Sequence, residues 1–204
     1  MKRQIFLIHG GMTFKNQSDY LEYLSLRKIS IGKKKRWALD YLDKMLGKSF
    51  EIIRPRMPQQ DNAKYAEWKI HFERHIPLLR DGVILIGSSL GGIFLAKYLS
   101  ENKLKLKVQS TILICAPFDN TVEGEDLVGG FKLASDLSLM EKNTKHLHFL
   151  FSKDDDVVPV SHADKYKKKL PNADFVIYKS KNGHFNIPTF PEIIEIIKKD
   201  TRKS

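Results

Sequence analysis

The sequence predicts a single α/β domain, a mostly parallel sheet of about six strands with helices on both faces. Three observations predict it. Short apolar runs alternate with longer amphipathic stretches, the pattern of repeated β-α units. Several runs, such as Ile5-Phe6-Leu7-Ile8 and Val83-Ile84-Leu85-Ile86, are apolar throughout, which suits strands buried on both faces of a parallel sheet. The second of these leads directly into Gly87-Ser88-Ser89-Leu90-Gly91-Gly92 and a helix-forming stretch.

The elements follow in order. Met1-Lys2-Arg3 before an apolar run has the charge pattern of an export signal. The run is too short and ends in His9-Gly10-Gly11, so Gln4–Ile8 reads as the first strand. Residues 12–36 are long for a loop and carry Tyr20, Leu21, Leu24, Leu26 and Ile29, so a helix followed by a basic loop is expected. Trp37–Leu46 reads as a helix ended by Gly47. Phe50–Arg54 is the second strand, Ala63–Leu79 a helix, Val83–Gly87 the third strand and Leu90–Ser100 the helix after it. Ser110–Cys115 is the fourth strand. Residues 118–144 hold Gly124, Gly129 and Gly130 and a run, Phe131 to Met140, with helical character. A segment following a strand whose end faces a site is a candidate partial lid. Leu147–Ser152, a helix at Ser161–Leu170, Phe175–Tyr178 and a helix at Pro191–Lys199 complete the chain, with Pro191 suited to a first helical turn.

Composition bounds the function. A chain of 204 residues with 42% apolar side chains supports one core and argues against disorder. The one cysteine, Cys115, excludes an internal disulfide and, with the reading of the N-terminus as a strand, points to a reducing, cytoplasmic setting. No run approaches the roughly 18 apolar residues of a membrane span. The net charge of +11 raises a nucleic-acid partner. It is spread over Lys33 to Arg36, Lys103 to Lys107, Lys165 to Lys169 and Lys198 to Lys203, which reads as a solvated surface that sticks to polyanions without specificity. No phosphate-cradling glycine motif is present and no cofactor is expected. His71 and His75 share a helix face and His146 and His148 share a strand face. Neither pair has an evident third ligand, so no metal is expected.

The chemistry gathers at strand ends. A serine on a sharp strand-to-helix turn projects from the backbone beside free helix N–H groups, which makes Ser89 a candidate nucleophile. A serine hydroxyl needs a base, and the base an orienting carboxylate. In open α/β sheets these lie beyond the carboxyl ends of later strands. Lys153-Asp154-Asp155-Asp156 follows the fifth strand and Gly183-His184-Phe185 the sixth, giving the order Ser, Asp, His. Cys115 sits within an apolar strand and reads as a core residue. His9 belongs to the turn after the first strand and reads as orienting or structural.

These motifs resemble the α/β-hydrolase fold family, in particular small serine hydrolases of the retinoblastoma-binding-protein-9 and YdeN type. The resemblance rests on His9-Gly10-Gly11, Met57-Pro58, Gly87 to Gly92, Ser152 to Pro159 and Gly183-His184-Phe185. It implies strand order 2-1-3-4-5-6, no large cap domain, and a triad of Ser89, Asp155 and His184. Asp155 is chosen because the family pattern places the carboxylate four positions before the proline, here Pro159, with Asp154 in reserve. Ser88 stands where relatives often have histidine, and the segment after the first strand is longer than in compact relatives.

The expected reaction is hydrolysis of a carboxylic ester, thioester or amide of a small acyl substrate through an acyl-enzyme. Backbone N–H groups of Leu90 and Gly11, or alternatively Met12, would form the oxyanion hole. Met12, Phe14, Met57, Phe118 and Phe185 are the candidate pocket residues. A binding protein on the same fold with a weak or inactive triad is the rival reading, and the chain is expected to be a monomer or small homo-oligomer.

Overall fold

The apolar runs pair into one sheet of six strands in the order β2-β1-β3-β4-β5-β6. A computed structural model describes residues 1–29, 31–32, 36–120 and 127–202. The strands are β1 (Arg3–Ile8), β2 (Phe50–Ile53), β3 (Val83–Ser88), β4 (Val108–Ile114), β5 (Thr144–Ser152) and β6 (Asp174–Tyr178). Every neighbouring pair is parallel. The central strands β1 and β3 bury nearly every residue, whereas the edge strand β6 leaves Asp174 and Ile177 exposed. That contrast explains why the centre reads as continuous apolar sequence and the edge does not.

The helices are α1 (Gln17–Leu26), α2 (a π turn at Trp37–Tyr41 continuing as Leu42–Leu46), α3 (Tyr65–His75), α4 (Leu90–Glu101), α5 (Ser138–Asn143), α6 (Ser161–Lys169) and α7 (Pro191–Arg202). α4 packs against β3 and β4, with α3 and α5 beside it, and α7 packs against β4 with α2 beside it. In α7, Ile193, Ile194, Ile197 and Asp200 are buried, the i, i+1, i+4, i+7 spacing of one helix face. Burying each isoleucine is worth about 1.5–3 kcal/mol. α4 is buried on almost every side, so its apolar sequence carries little periodicity.

One expectation changes. Phe131 to Met140 is not one helix; regular structure starts only at Ser138. Phe131, Leu137 and Met140 are instead buried anchors that tie this stretch to the core, and their apolar character reflects tertiary packing rather than helical period. Of residues 118–144, positions 121–126, including Gly124, lie outside the described residues, as do Lys33 to Lys35 in the basic run and Lys203. The expected helix within 12–36 forms as α1, capped by Asn16, whose side chain accepts from Asp19 N–H at 2.9 Å. It contributes no buried residue, and Leu21 and Leu26 are exposed. No helix among the described residues is long and apolar enough to cross a membrane.

Candidate active site

The sheet brings the serine turn, the aspartate loop and the histidine loop to its carboxyl end. Ser89 lies between β3 and α4 with φ 54° and ψ −121°, a left-handed conformation that an L-residue holds only under tertiary constraint. The constraint is visible. Ser89 N–H donates to Ile114 O of β4 at 2.8 Å, and Ser89 O accepts from Gly92 N–H at 2.8 Å. Gly91 rides against the Ile8 and His9 carbonyls so closely that a Cβ there would overlap them. A Cβ on Gly10 would stand 3.2 Å from Ser89 Cβ.

The turn after β1 is fixed by His9. Met57 N–H donates to His9 Nε2 at 3.0 Å, and Nδ1 lies 2.6 Å from Gly10 O. Nε2 is therefore the acceptor, and the ring proton sits on Nδ1. The orienting role expected for His9 has this physical form: it pins the glycine turn beside Ser89 to the loop after β2.

Asp155 and His184 meet. His184 Nδ1 lies 2.9 Å and 3.0 Å from the two Asp155 carboxylate oxygens. Asp155 Oδ1 also accepts Val157 and Val158 N–H, each at 2.9 Å, and its carboxylate is fully buried. Asp154 makes different contacts. It accepts from Ser152 Oγ, Ser180 Oγ, Lys181 N–H and Gly183 N–H, fastening the aspartate loop to the histidine loop. Those hydrogen bonds hold its carboxyl well below the usual carboxylate range. His184 sits in a three-residue turn closed by Phe185 N–H to Gly183 O at 2.8 Å, flanked by Gly183 at φ 69° and Phe185 at φ 52°.

Cys115 departs from expectation. It is buried, but it lies just beyond β4 with φ 42° rather than within the strand, and its Sγ stands 3.7 Å from His184 Nε2. Among the described residues no hydrogen bond joins Ser89 Oγ to His184. Burial works against a charged His184 ring, but the hydrogen bonds to Asp155 and the Cys115 sulfur outweigh it, and its pKa is pushed up to about 10. The sequence signal for Cys115 was its place at a strand end facing the site, where ligand-binding groups collect.

Beside Ser89 lies a cavity of about 260 Å³ lined in part by Met12, Phe14, Ser89, Leu90, Pro117 and Leu127. Gly11 lines it as well. Among the described residues, Gly11 N–H and Leu90 N–H donate to no acceptor, whereas Met12 N–H is taken by Gln60 O at 2.8 Å. Three candidate pocket residues pack elsewhere. Met57 is buried, Phe118 packs on Tyr166, and Phe185 packs on Phe190 and Tyr178. Sequence position near a motif does not set which face a side chain takes.

Comparison with known proteins gives the family. Residues 34–193 match the sequence profile of a family described as serine hydrolase. The chain belongs to the serine hydrolase family. Its fold is similar to that of the YdeN gene product from B. subtilis, at 18% identity and a TM-score of 0.78, covering 98% of this chain and 100% of that one. A solved structure from a study of carboxylesterases of Nitrososphaera gargenis matches at 15% identity and a TM-score of 0.61, covering 100% of this chain and 92% of that one. An esterase from Exiguobacterium antarcticum matches at 12% identity and a TM-score of 0.55, over 98% of this chain and 91% of that one. No curated protein matches the chain. Membership of the serine hydrolase family supports hydrolase activity.

Proposed function

We propose that the protein is a carboxylesterase-like hydrolase in which Ser89 is the nucleophile, His184 the base and Asp155 its orienting carboxylate. The observation that carries this reading is the hydrogen-bonded Asp155–His184 pair at the same end of the sheet as a serine held at φ 54°. Ser89 Oγ attacks the acyl carbonyl, and His184 takes its proton and returns it to the leaving group. Asp155 holds the proton on Nδ1 and stabilises the imidazolium. The oxyanion is received by Leu90 and Gly11 N–H, which donate to no acceptor among the described residues; losing one such donor typically costs about 3–4 kcal/mol. Water then releases the acyl group. For the first step His184 Nε2 must turn from Cys115 toward Ser89, a side-chain movement within a site that already holds the ring by its other nitrogen.

A cavity of about 260 Å³ falls below the roughly 300–1,000 Å³ typical of pockets for larger ligands, which supports a short acyl group. The test is hydrolysis of p-nitrophenyl acetate. Ser89→Ala and His184→Ala should each lower kcat/KM by about 10³-fold or more while circular dichroism stays unchanged. Wild-type turnover in purified Ser89→Ala would refute the assignment.

A further inference from the structure

We propose that Cys115 Sγ and His184 Nε2 form a binding site for one thiophilic divalent cation, zinc above all, and that occupying it silences the hydrolase. The silencing rests on the reading of His184 as the base; the binding does not.

Ligand atoms of Cys115, Asp155 and His184 all lie within 4.8 Å of one another, and Sγ to Nε2 is 3.7 Å. Zinc bonds run about 2.3 Å to a thiolate and 2.0–2.1 Å to an imidazole, so this separation gives an S–Zn–N angle of about 116°, near tetrahedral. The present separation already suits chelation. Asp155 completes the arrangement from the far side of the ring. Metal-binding histidines commonly donate their other N–H to a carboxylate, which fixes the tautomer and strengthens the ligand. Here that carboxylate is itself held by Val157 and Val158 N–H.

The backbone that carries the sulfur is fixed too, since Cys115 N–H donates to Leu150 O at 2.8 Å. His184 keeps 19% of its side chain exposed, which gives an ion a way in. Water completes the coordination on the side facing solvent. Binding releases two protons to solvent, one from the Cys115 thiol and one from His184 Nε2, so that a thiolate and a neutral imidazole face the ion. A zinc ion on Nε2 occupies the lone pair that must receive the Ser89 proton, so the bound enzyme cannot start acyl transfer.

His71 and His75 are the other pair to consider. His75 Nδ1 is engaged with His71 O at 2.7 Å, and among the described residues neither a thiol nor a carboxylate joins that pair.

The experiment titrates the full chain with Zn²⁺ against a chromophoric chelator, follows ester hydrolysis in parallel, and repeats the titration with Co²⁺, whose thiolate complexes show a sulfur-to-metal charge-transfer absorption. The expected result is one zinc per chain at micromolar affinity, at least tenfold loss of turnover reversed by chelation, and a thiolate band with cobalt. Ser89→Ala should bind zinc as wild type does. Cys115→Ala should lose the cobalt band and weaken zinc binding at least tenfold, and His184→Ala should weaken binding likewise if Cys115→Ala does not fold. No thiolate band in wild type, or unchanged zinc affinity in Cys115→Ala, overturns the proposal. Zinc binding by a wild type that hydrolyses no ester would leave the site standing and remove the hydrolase reading. Zinc bound with the thiolate band but with ester hydrolysis untouched would keep the site and overturn the silencing, and with it the reading of His184 as the base.

Discussion

His184 carries three contacts of different meaning: Asp155 on one nitrogen, Cys115 on the other, and a strained turn beneath. Burial disfavours its charged form, but the Asp155 hydrogen bonds and the Cys115 sulfur hold the proton on, with a pKa near 10. Only the neutral ring can accept the serine proton. The fraction of competent base therefore grows with pH, and kcat/KM for an activated ester should climb steadily between pH 7 and 10 after correction for spontaneous hydrolysis. A plateau reached by pH 7 would contradict this. Ser89 and His184 were legible because each sits in a local signature, a glycine-flanked turn after an apolar run. Preferring Asp155 to Asp154 rests on the family resemblance, whose pattern places the carboxylate four positions before the proline, since adjacent aspartates look alike until the loop is folded. The structure separates them by partner: Asp155 touches His184, and Asp154 staples the two loops. Cys115 was not legible as a neighbour of His184, because that contact joins positions 69 residues apart.

At the scale of elements, hydrophobic period placed all six strands and most helices to within a few residues. It failed at Phe131 to Met140, where buried apolar anchors imitate a helix. It also missed how α7 is held. Asp200 is buried and accepts from Ser110 Oγ at 2.7 Å while lying 2.8 Å from His148 Nε2. His148 in turn lies 3.4 Å from Asp174. Burial alone would raise the Asp200 pKa, but the hydrogen bonds from His148 and Ser110 outweigh it and the group is lowered. A carboxylate depressed in the folded state adds stability that is present above its unfolded pKa, about 3.9, and is lost as pH falls through the folded value. Asp200→Asn should therefore cost about 1–3 kcal/mol at pH 7, and the gap to wild type in urea midpoints should narrow below about pH 4. Equal midpoints at pH 7 would show that the network does not secure α7. The sequence hid this because Ser110, His148 and Asp200 lie on separate elements, and none stands in a recognisable motif.

Over the whole molecule, parallel topology explains the division of labour. The strands run the same way, so the loops bearing Ser89, Asp155 and His184 open at one end of the sheet. The Ser110–His148–Asp200 network lies nearer the other end and serves α7. The positive-φ residues Ser89, Cys115 and Phe185 collect at the first end, consistent with strain kept where chemistry needs side chains re-aimed. The account's central claim is that this convergence activates Ser89. Reaction of the purified chain with a fluorophosphonate, followed by intact mass and peptide mapping, tests it most directly. The account predicts one adduct per chain, on Ser89, absent from Ser89→Ala and from His184→Ala. A folded wild type that takes up no adduct, or an adduct that persists in Ser89→Ala, would contradict it.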